Sequence, residues 1–367
     1  MAQSASAADG LSFKGLLSPR QLRRRFNSNG EIPFSRIWRR MRKGVLLLST
    51  GGTISSVKKG EDGTVLPTLS GQELVATLPG IEKVAVVDAK EFSKVPGHYL
   101  GFQEMLDLSR RIEDALSSRD YSGVVVTMGT NIIEEASYCL DLLLKLDAPV
   151  VVTGAMRNPS LPSSDAQMNL YNSIVAASSS LLRGVGCIVC MNGELHHARY
   201  VVKTNTVSIS SFQSPGVGPI GVIRSDRVVK YMENVQREHI RPAKMRARVD
   251  LIRYCMGMDG TLSEAAIKLG AKGVVVEAWG GGHLVPATIP AIQSAIASGI
   301  PVVMTSRCIS GELLENVYGF EGSETHLKRL GVIFASGLPG LKARIKLALL
   351  ISDGRNPEQV RLAFEGS

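Results

Sequence analysis

The sequence predicts an α/β protein with a mostly parallel sheet flanked by helices in a larger N-terminal domain, followed by a smaller C-terminal α/β domain. Apolar runs of strand length recur at 45–49, 123–127, 149–153 and 185–191, with helical patterns after the second and from Asp165 after the third. Beyond a polar stretch near 224–247 the alternation resumes: "VDLIRYCM", a helix at about 261–269, "GVVVEAW", a helix at about 288–298, "PVVMTS", and a last helix in "LKARIKLALLISD". Strands alternating with helices argue for parallel pairing through crossovers. A chain of 367 residues that is 44% hydrophobic can bury two cores. The expected division is a basic extension at 1–43, a catalytic α/β domain at 44–225, a linker at 226–247 and a second α/β domain at 248–367.

The strand at 185–191 should turn at Asn192-Gly193, a pair suited to positive φ. The net charge of +9 is concentrated at the start: residues 1–44 hold ten Lys/Arg against two Asp/Glu, so the rest is nearly neutral. That distribution argues against nucleic acid as the partner of the globular part. Arg23-Arg24-Arg25 resembles a twin-arginine signal, yet no apolar segment follows it. The extension is read as solvated or loosely packed, with an RNA-touching arm around Phe34 and Trp38 or a transit peptide as alternatives. No apolar run approaches the roughly 20 residues that span a bilayer, so a membrane role is not expected. Five cysteines, scattered and odd in number, fit a reducing compartment and a cytoplasmic location. Cys187 and Cys190 lie three apart on one strand, on opposite faces, and are read as core. His196-His197 looks like a metal pair, but adjacent strand residues face opposite ways and no Cys or carboxylate is spaced to complete a site; no metal and no cofactor are expected.

Ligands of parallel α/β sheets settle outside the carboxyl ends of strands, where glycine turns present backbone N–H groups. Two such joints carry threonines: "VLLLSTGGTISS" at 45–56 and "VVVTMGTNIIEEA" at 124–136. The first lacks the spacing of a dinucleotide fingerprint or of a P-loop. Thr53, taken alone, is equally well read as a turn hydroxyl. Asn131, with Glu134 three residues on, is equally well read as a helix cap.

Seven segments in order, "STGGTI", "GVVVTMGTNIIEEA", "APVVVTGAMRNPSLPSSDAQMNLYNSI", "VVKTNT", "AWGGGH", "PVVMTSR" and "LKARIKLALL", resemble the bacterial-type L-asparaginase/glutaminase family over about residues 44–353. The resemblance implies that Thr53 and Thr130 are the two site threonines and Lys203 the base. A Thr hydroxyl needs a neighbour to take its proton, and a desolvated lysine amine can do so. One Thr, with Thr53 as first choice, would attack an amide carbonyl, and water would resolve the acyl-enzyme. The N–H groups at Gly51-Gly52 and Gly129 would hold the oxyanion. The resemblance also implies a homo-oligomer, a dimer or tetramer, because family sites are completed across subunits.

The departures concern substrate recognition. The family typically reads "HGTDT" where this chain has "MGTNI", so Met128, Asn131 and Ile132 replace a His, an Asp and a Thr. In the family that Asp grips the α-ammonium of the amino acid. The groups that receive the rest of the amino-acid head fall near Gly97-His98, and His283 stands where an Asn is usual. Met128 fits apolar packing, and His98 and His283 are pocket candidates. The expected function is therefore an amidohydrolase acting on a small carboxamide, lactam or imide rather than on classical L-asparagine. A genuine L-asparaginase/glutaminase, and a catalytically silent or tRNA-amidotransferase-type subunit, are the alternatives.

Overall fold

The computed structural model describes residues 44–58, 65–233, 235–335 and 337–366. The basic extension, and with it the solvated, RNA-arm and transit-peptide readings, lies outside the described residues.

The N-terminal part contains β1 (Gly44–Ser49), β2 (Ser56–Lys58), β3 (Val65–Pro67), β4 (Val86–Glu91), β5 (Tyr121–Thr127), β6 (Val150–Thr153), β7 (Cys187–Met191), β8 (Glu194–His197), β9 (Val202–Lys203), β10 (Phe212–Gln213), β11 (Gly221–Arg224) and β12 (Arg227–Lys230). Eight of these form one sheet in the order β12-β11-β8-β7-β6-β5-β1-β4. The five strands from β7 to β4 are parallel to one another, whereas β8, β11 and β12 add antiparallel hairpins at one edge. The β7–β8 hairpin turns through Asn192 (φ 52°) and Gly193 (φ 77°), the left-handed pair that matches strand twist. Short ribbons pair β2 with β3 and β9 with β10.

The parallel strands are apolar without alternation because both faces are covered. Val45 and Leu47 of β1 join Val125, Val151 and Ile188 on one face, against Leu74 of α1 (Gly71–Ala76). Leu46 and Leu48 join Val124, Val126 and Val152 on the other, against Ile112 of α2 (Phe102–Ser118) and Leu140 of α3 (Ile133–Leu143). The first face is completed by Leu170 and Ile174 of α4 (Ala166–Ser178). Cys187 packs in the second cluster and Cys190 in the first, so the two thiols do take opposite faces. Burial pushes both thiols up, and each is free.

The smaller C-terminal domain is a four-stranded parallel sheet, β13 (Val249–Arg253), β14 (Gly273–Ala278), β15 (Val302–Ser306) and β16 (Ile333–Phe334), in sequence order. Val274, Val276 and Met304 pack with α5 (Thr261–Lys268), α6 (Ile289–Ala297) and α7 (Glu324–Leu330). Val275 and Val303 face the other way, onto α8 (Gly340–Ser352), and share one cluster with the residues of α2 and α3. Thus α8 lies between the small sheet and α3, and α9 (Pro357–Glu365) closes the chain. Among the described residues no helix is long and apolar enough to cross a membrane.

The stretch read as a linker includes β12 and a buried ion-pair system. Asp141 of α3, 3% exposed, accepts from the Cys187 N–H (2.9 Å) and from Arg237 Nε (3.2 Å), while the other Arg237 nitrogens donate to the carbonyls of Leu144 and Leu146. Replacing Asp141 by Ala leaves the guanidinium without its counter-charge. The expected cost is about 3–5 kcal/mol, read as a lowered urea midpoint. A midpoint equal to that of the wild type would refute this role for the pair.

Candidate active site

The order of the large sheet places its switch point beside β1, which has β4 on one side and β5 on the other. Chain leaving the carboxyl ends of β1 and β5 therefore diverges and opens a crevice there. Glycine controls what happens in it. Gly51 (φ 103°) and Gly52 (φ 83°, ψ −176°) follow β1 in backbone conformations that only glycine adopts readily. A Cβ on Gly52 would lie 2.3 Å from the Gly129 nitrogen, and one on Gly97 would lie 3.0 Å from Gly129 Cα. Three loops thus meet backbone to backbone. Thr50 reinforces the contact, donating from both N–H (3.0 Å) and Oγ1 (2.9 Å) to the Thr127 carbonyl.

Each threonine of interest follows one of the touching glycines. Thr53 opens a single turn, Thr53–Ser55, and is half-buried; its hydroxyl makes no hydrogen bond among the described residues. Thr130, 8% exposed, accepts a hydrogen bond from Lys203 Nζ at 2.9 Å. Lys203 belongs to β9, whose pairing with β10 sets it opposite Phe212. Burial lowers the Lys203 pKa, and the nearby Glu134 carboxylate opposes that shift. The N–H groups of Gly52, Gly129 and Thr130 donate to no acceptor among the described residues, so donors remain over where the loops meet.

The remaining sequence candidates separate. Met128 is fully buried, in the core behind the turn. Asn131 is exposed, and its side chain makes no hydrogen bond among the described residues. The capping alternative for it is overturned: the N-cap of α3 is Ile132, one residue later, and no side chain caps that helix. Gly97 is at the loop contact, whereas His98 is exposed and edge-on to Tyr99. His283 sits in the smaller domain, on a turn closed by the Trp279–His283 bridge, with Nε2 at 3.2 Å from Glu324 and its ring edge-on to Tyr318 and Phe320. These contacts tie it to its own domain rather than to Thr53, Thr130 or Lys203. The adjacent histidines are each occupied: His196 pairs with Ser214 and Glu194, and His197 accepts from the Arg199 N–H while its Nε2 donates to the Val185 carbonyl. Among the described residues no group of three or more His, Cys, Asp or Glu is placed to hold a metal.

Two groups beside the site were missed. Glu134 lies one helical turn past Thr130, and its carboxylate accepts the Lys203 N–H. Asp165 accepts from the N–H groups of Met156 (3.0 Å) and Arg157 (2.9 Å), closing the loop after β6. Both bind backbone groups, one 69 residues away and the others within the same loop, for which residue type gives little signal. A cleft of about 430 Å³ between the domains is lined by Val202, the neighbour of Lys203, but by neither threonine.

Gly52→Ala should separate the loops. The side chain meets Gly129 backbone and the conformation is disfavoured by about 1–3 kcal/mol, so both melting temperature and turnover are expected to fall, turnover by roughly 100-fold. Gly80→Ala is the control: its φ is 76° but nothing lies within 4 Å, so it should lose stability and keep activity. Equal turnover in the two variants would remove the loop contact from the site.

Two family models cover nearly all of the described chain: "Asparaginase, N-terminal" matches residues 44–236 and "Glutaminase/Asparaginase C-terminal domain" matches 248–364. An L-asparaginase of Bacillus licheniformis is 33% identical over 312 residues, 85% of this chain and 96% of that protein. A glutamyl-tRNA(Gln) amidotransferase subunit of Pyrococcus abyssi is 31% identical over 330 residues, 86% of this chain and 74% of that protein. The crystal structure of a probable cytoplasmic L-asparaginase from Campylobacter jejuni superposes with a TM-score of 0.80 at 26% identity, covering 88% of this chain and 99% of that one. The chain belongs to the asparaginase family of amidohydrolases, which act on amide C–N bonds outside peptides.

Proposed function

We propose that this chain hydrolyses a small carboxamide, lactam or imide that lacks a free α-amino-acid head, using a threonine nucleophile. The observation that carries the reading is the 2.9 Å contact of the partly desolvated Lys203 amine with Thr130, next to Asn131, a neutral side chain at the joint where the family carries an ammonium-binding carboxylate. Thr53, with an unengaged hydroxyl, attacks the carbonyl; its proton passes through Thr130 to the neutral Lys203 amine. The oxyanion is received by the N–H groups left over at Gly52 and Gly129. Collapse of the tetrahedral intermediate breaks the C–N bond, the leaving nitrogen takes a proton from Lys203, and water then hydrolyses the acyl-threonine. The chain works in the cytoplasm as a homo-oligomer, and His98 and His283, held by Tyr99 and by Glu324, are left out of the reacting group.

Genuine L-asparaginase activity is the second reading, favoured by the 33% identity to the Bacillus licheniformis protein. An RNA-linked role is a third, favoured by the amidotransferase relative; it predicts salt-dependent RNA retention that disappears when residues 1–43 are deleted.

Thr53→Ala and Lys203→Met should each lower turnover of the best substrate in an amide panel by at least roughly 100-fold, scored by ammonia release and by mass change. Trapped acyl-enzyme should map to the peptide carrying Thr53. Near-normal turnover in either variant would sink the mechanism.

Asn131→Asp separates the first two readings. A hydrogen bond to a charged group contributes about 1.5–3 kcal/mol, so the new carboxylate should raise kcat/KM for L-asparagine by roughly 10–100-fold. The base must be neutral to act, so the rate rises with pH through the Lys203 pKa. That pKa is already below the ordinary lysine value because of burial, and an added negative charge moves it and the acid limb upward. Efficient wild-type hydrolysis of L-asparagine would decide for the second reading.

A further inference from the structure

The segment that carries the base crosses from the end of β8 at His197 to β9 at Val202; past Ala198, whose N–H donates to the Cys187 carbonyl of β7 (3.0 Å), no strand pairs with it until β9. It is gripped from the smaller domain. Resting on the reading of Lys203 as the base, we propose that Lys342 of α8 is a positioning residue, which fixes segment 199–203 through two backbone carbonyls and so sets where the Lys203 amine meets Thr130.

Lys342 is 1% exposed and donates from Nζ to the carbonyls of Arg199 (2.9 Å) and Val201 (2.5 Å). Val201 is two residues from Lys203, so a displacement at its carbonyl reaches the base with little slack. One helical turn on, Lys346 is also fully buried and pairs with Glu238 at 2.6 Å; Glu238 in turn holds the Arg199 guanidinium at 3.3 Å. Two buried lysines on one turn-to-turn row of a largely apolar helix thus converge on the same short segment, where leucines would be cheaper to bury. The other end of the segment is fixed by Glu134, which accepts the Lys203 N–H.

The charged and titratable groups facing Lys342 are Glu134, Tyr138 and Asp141 of α3, His196 and His197 of β8, and Arg199. Burial draws its pKa down to about 7, with Glu134 opposing. The clamp does not depend on that titration, because a neutral amine keeps two N–H groups, one for each carbonyl. What the site requires at 342 is a pair of donors on a long stem.

The test uses the full chain and two readouts, one of them free of substrate. Reductive methylation by formaldehyde and cyanoborohydride, followed by peptide mass spectrometry across pH, gives the midpoint at which the Lys203 amine becomes reactive. In Lys342→Met the segment relaxes towards solvent, so the midpoint should rise towards the ordinary lysine range, and kcat on the fastest panel amide should fall roughly 10–100-fold while KM stays within about twofold. Lys342→Gln, with two donors on a shorter stem, should fall between wild type and Met, and it carries the test if the Met variant does not fold. A folded variant whose midpoint and kcat match the wild type overturns the proposal. Lys203→Met distinguishes this failure from a deeper one: if it is inactive while Lys342→Met is normal, only the positioning role falls, and if it is active, the base assignment falls and the positioning role with it.

Discussion

The approach of the Gly52 backbone to that of Gly129 is the constraint on which the rest of the site depends. It requires two residues without side chains at the ends of neighbouring parallel strands, and β1 and β5 are neighbours because helical crossovers carry the chain to either side of β1. Those helices need apolar strand faces on both sides of the sheet, which is why Val45, Leu46, Leu47 and Leu48 run together without a polar residue. Position in the sheet, packing on its faces and the opening between the loops follow from one another. The threonines need no separate mechanism to converge, since each is one peptide unit beyond the contact.

The electrostatics of the site are set by what stands near a single amine. Lys203 is only partly withdrawn from water, and among the described residues the carboxylate acting on it is Glu134, which is engaged by the Lys203 N–H. A second carboxylate at 131 would hold the amine charged; an amide there leaves it easier to discharge. On the proposed reading, neutrality at 131 bears on the base as well as on the substrate, and a single substitution would change both at once.

The covered parallel strands and the Asn192–Gly193 turn were legible in the sequence because their signals are local: an unbroken apolar run, and a residue pair able to take positive φ. Thr53, Thr130 and Lys203 were singled out through ordered motifs, which carry no information on the 2.9 Å contact of Lys203 with Thr130. The capping reading of Asn131 failed because it assumed that α3 begins at once, whereas the chain spends one more residue turning before Ile132. The strand at Arg227–Lys230 was hidden in a polar stretch because it is an edge strand with charged ends and a short apolar centre. Glu134 and Lys342 escaped for a further reason. Their partners are backbone groups 69 and 141 residues away, and backbone groups leave no trace in residue identity.

The placement of α8 has a consequence for biosynthesis. It fills the space between α3 and the small sheet, yet it is one of the last elements to be made. Until it is in place, the side of α3 that carries Tyr138 lacks its cover, and the Arg199 and Val201 carbonyls lack the amine that holds them. A nascent chain with an uncovered apolar face is open to chaperones. Arrival of α8 covers that face and supplies that amine in one step, so one late element completes both the packing on α3 and the hold on the strip before Lys203.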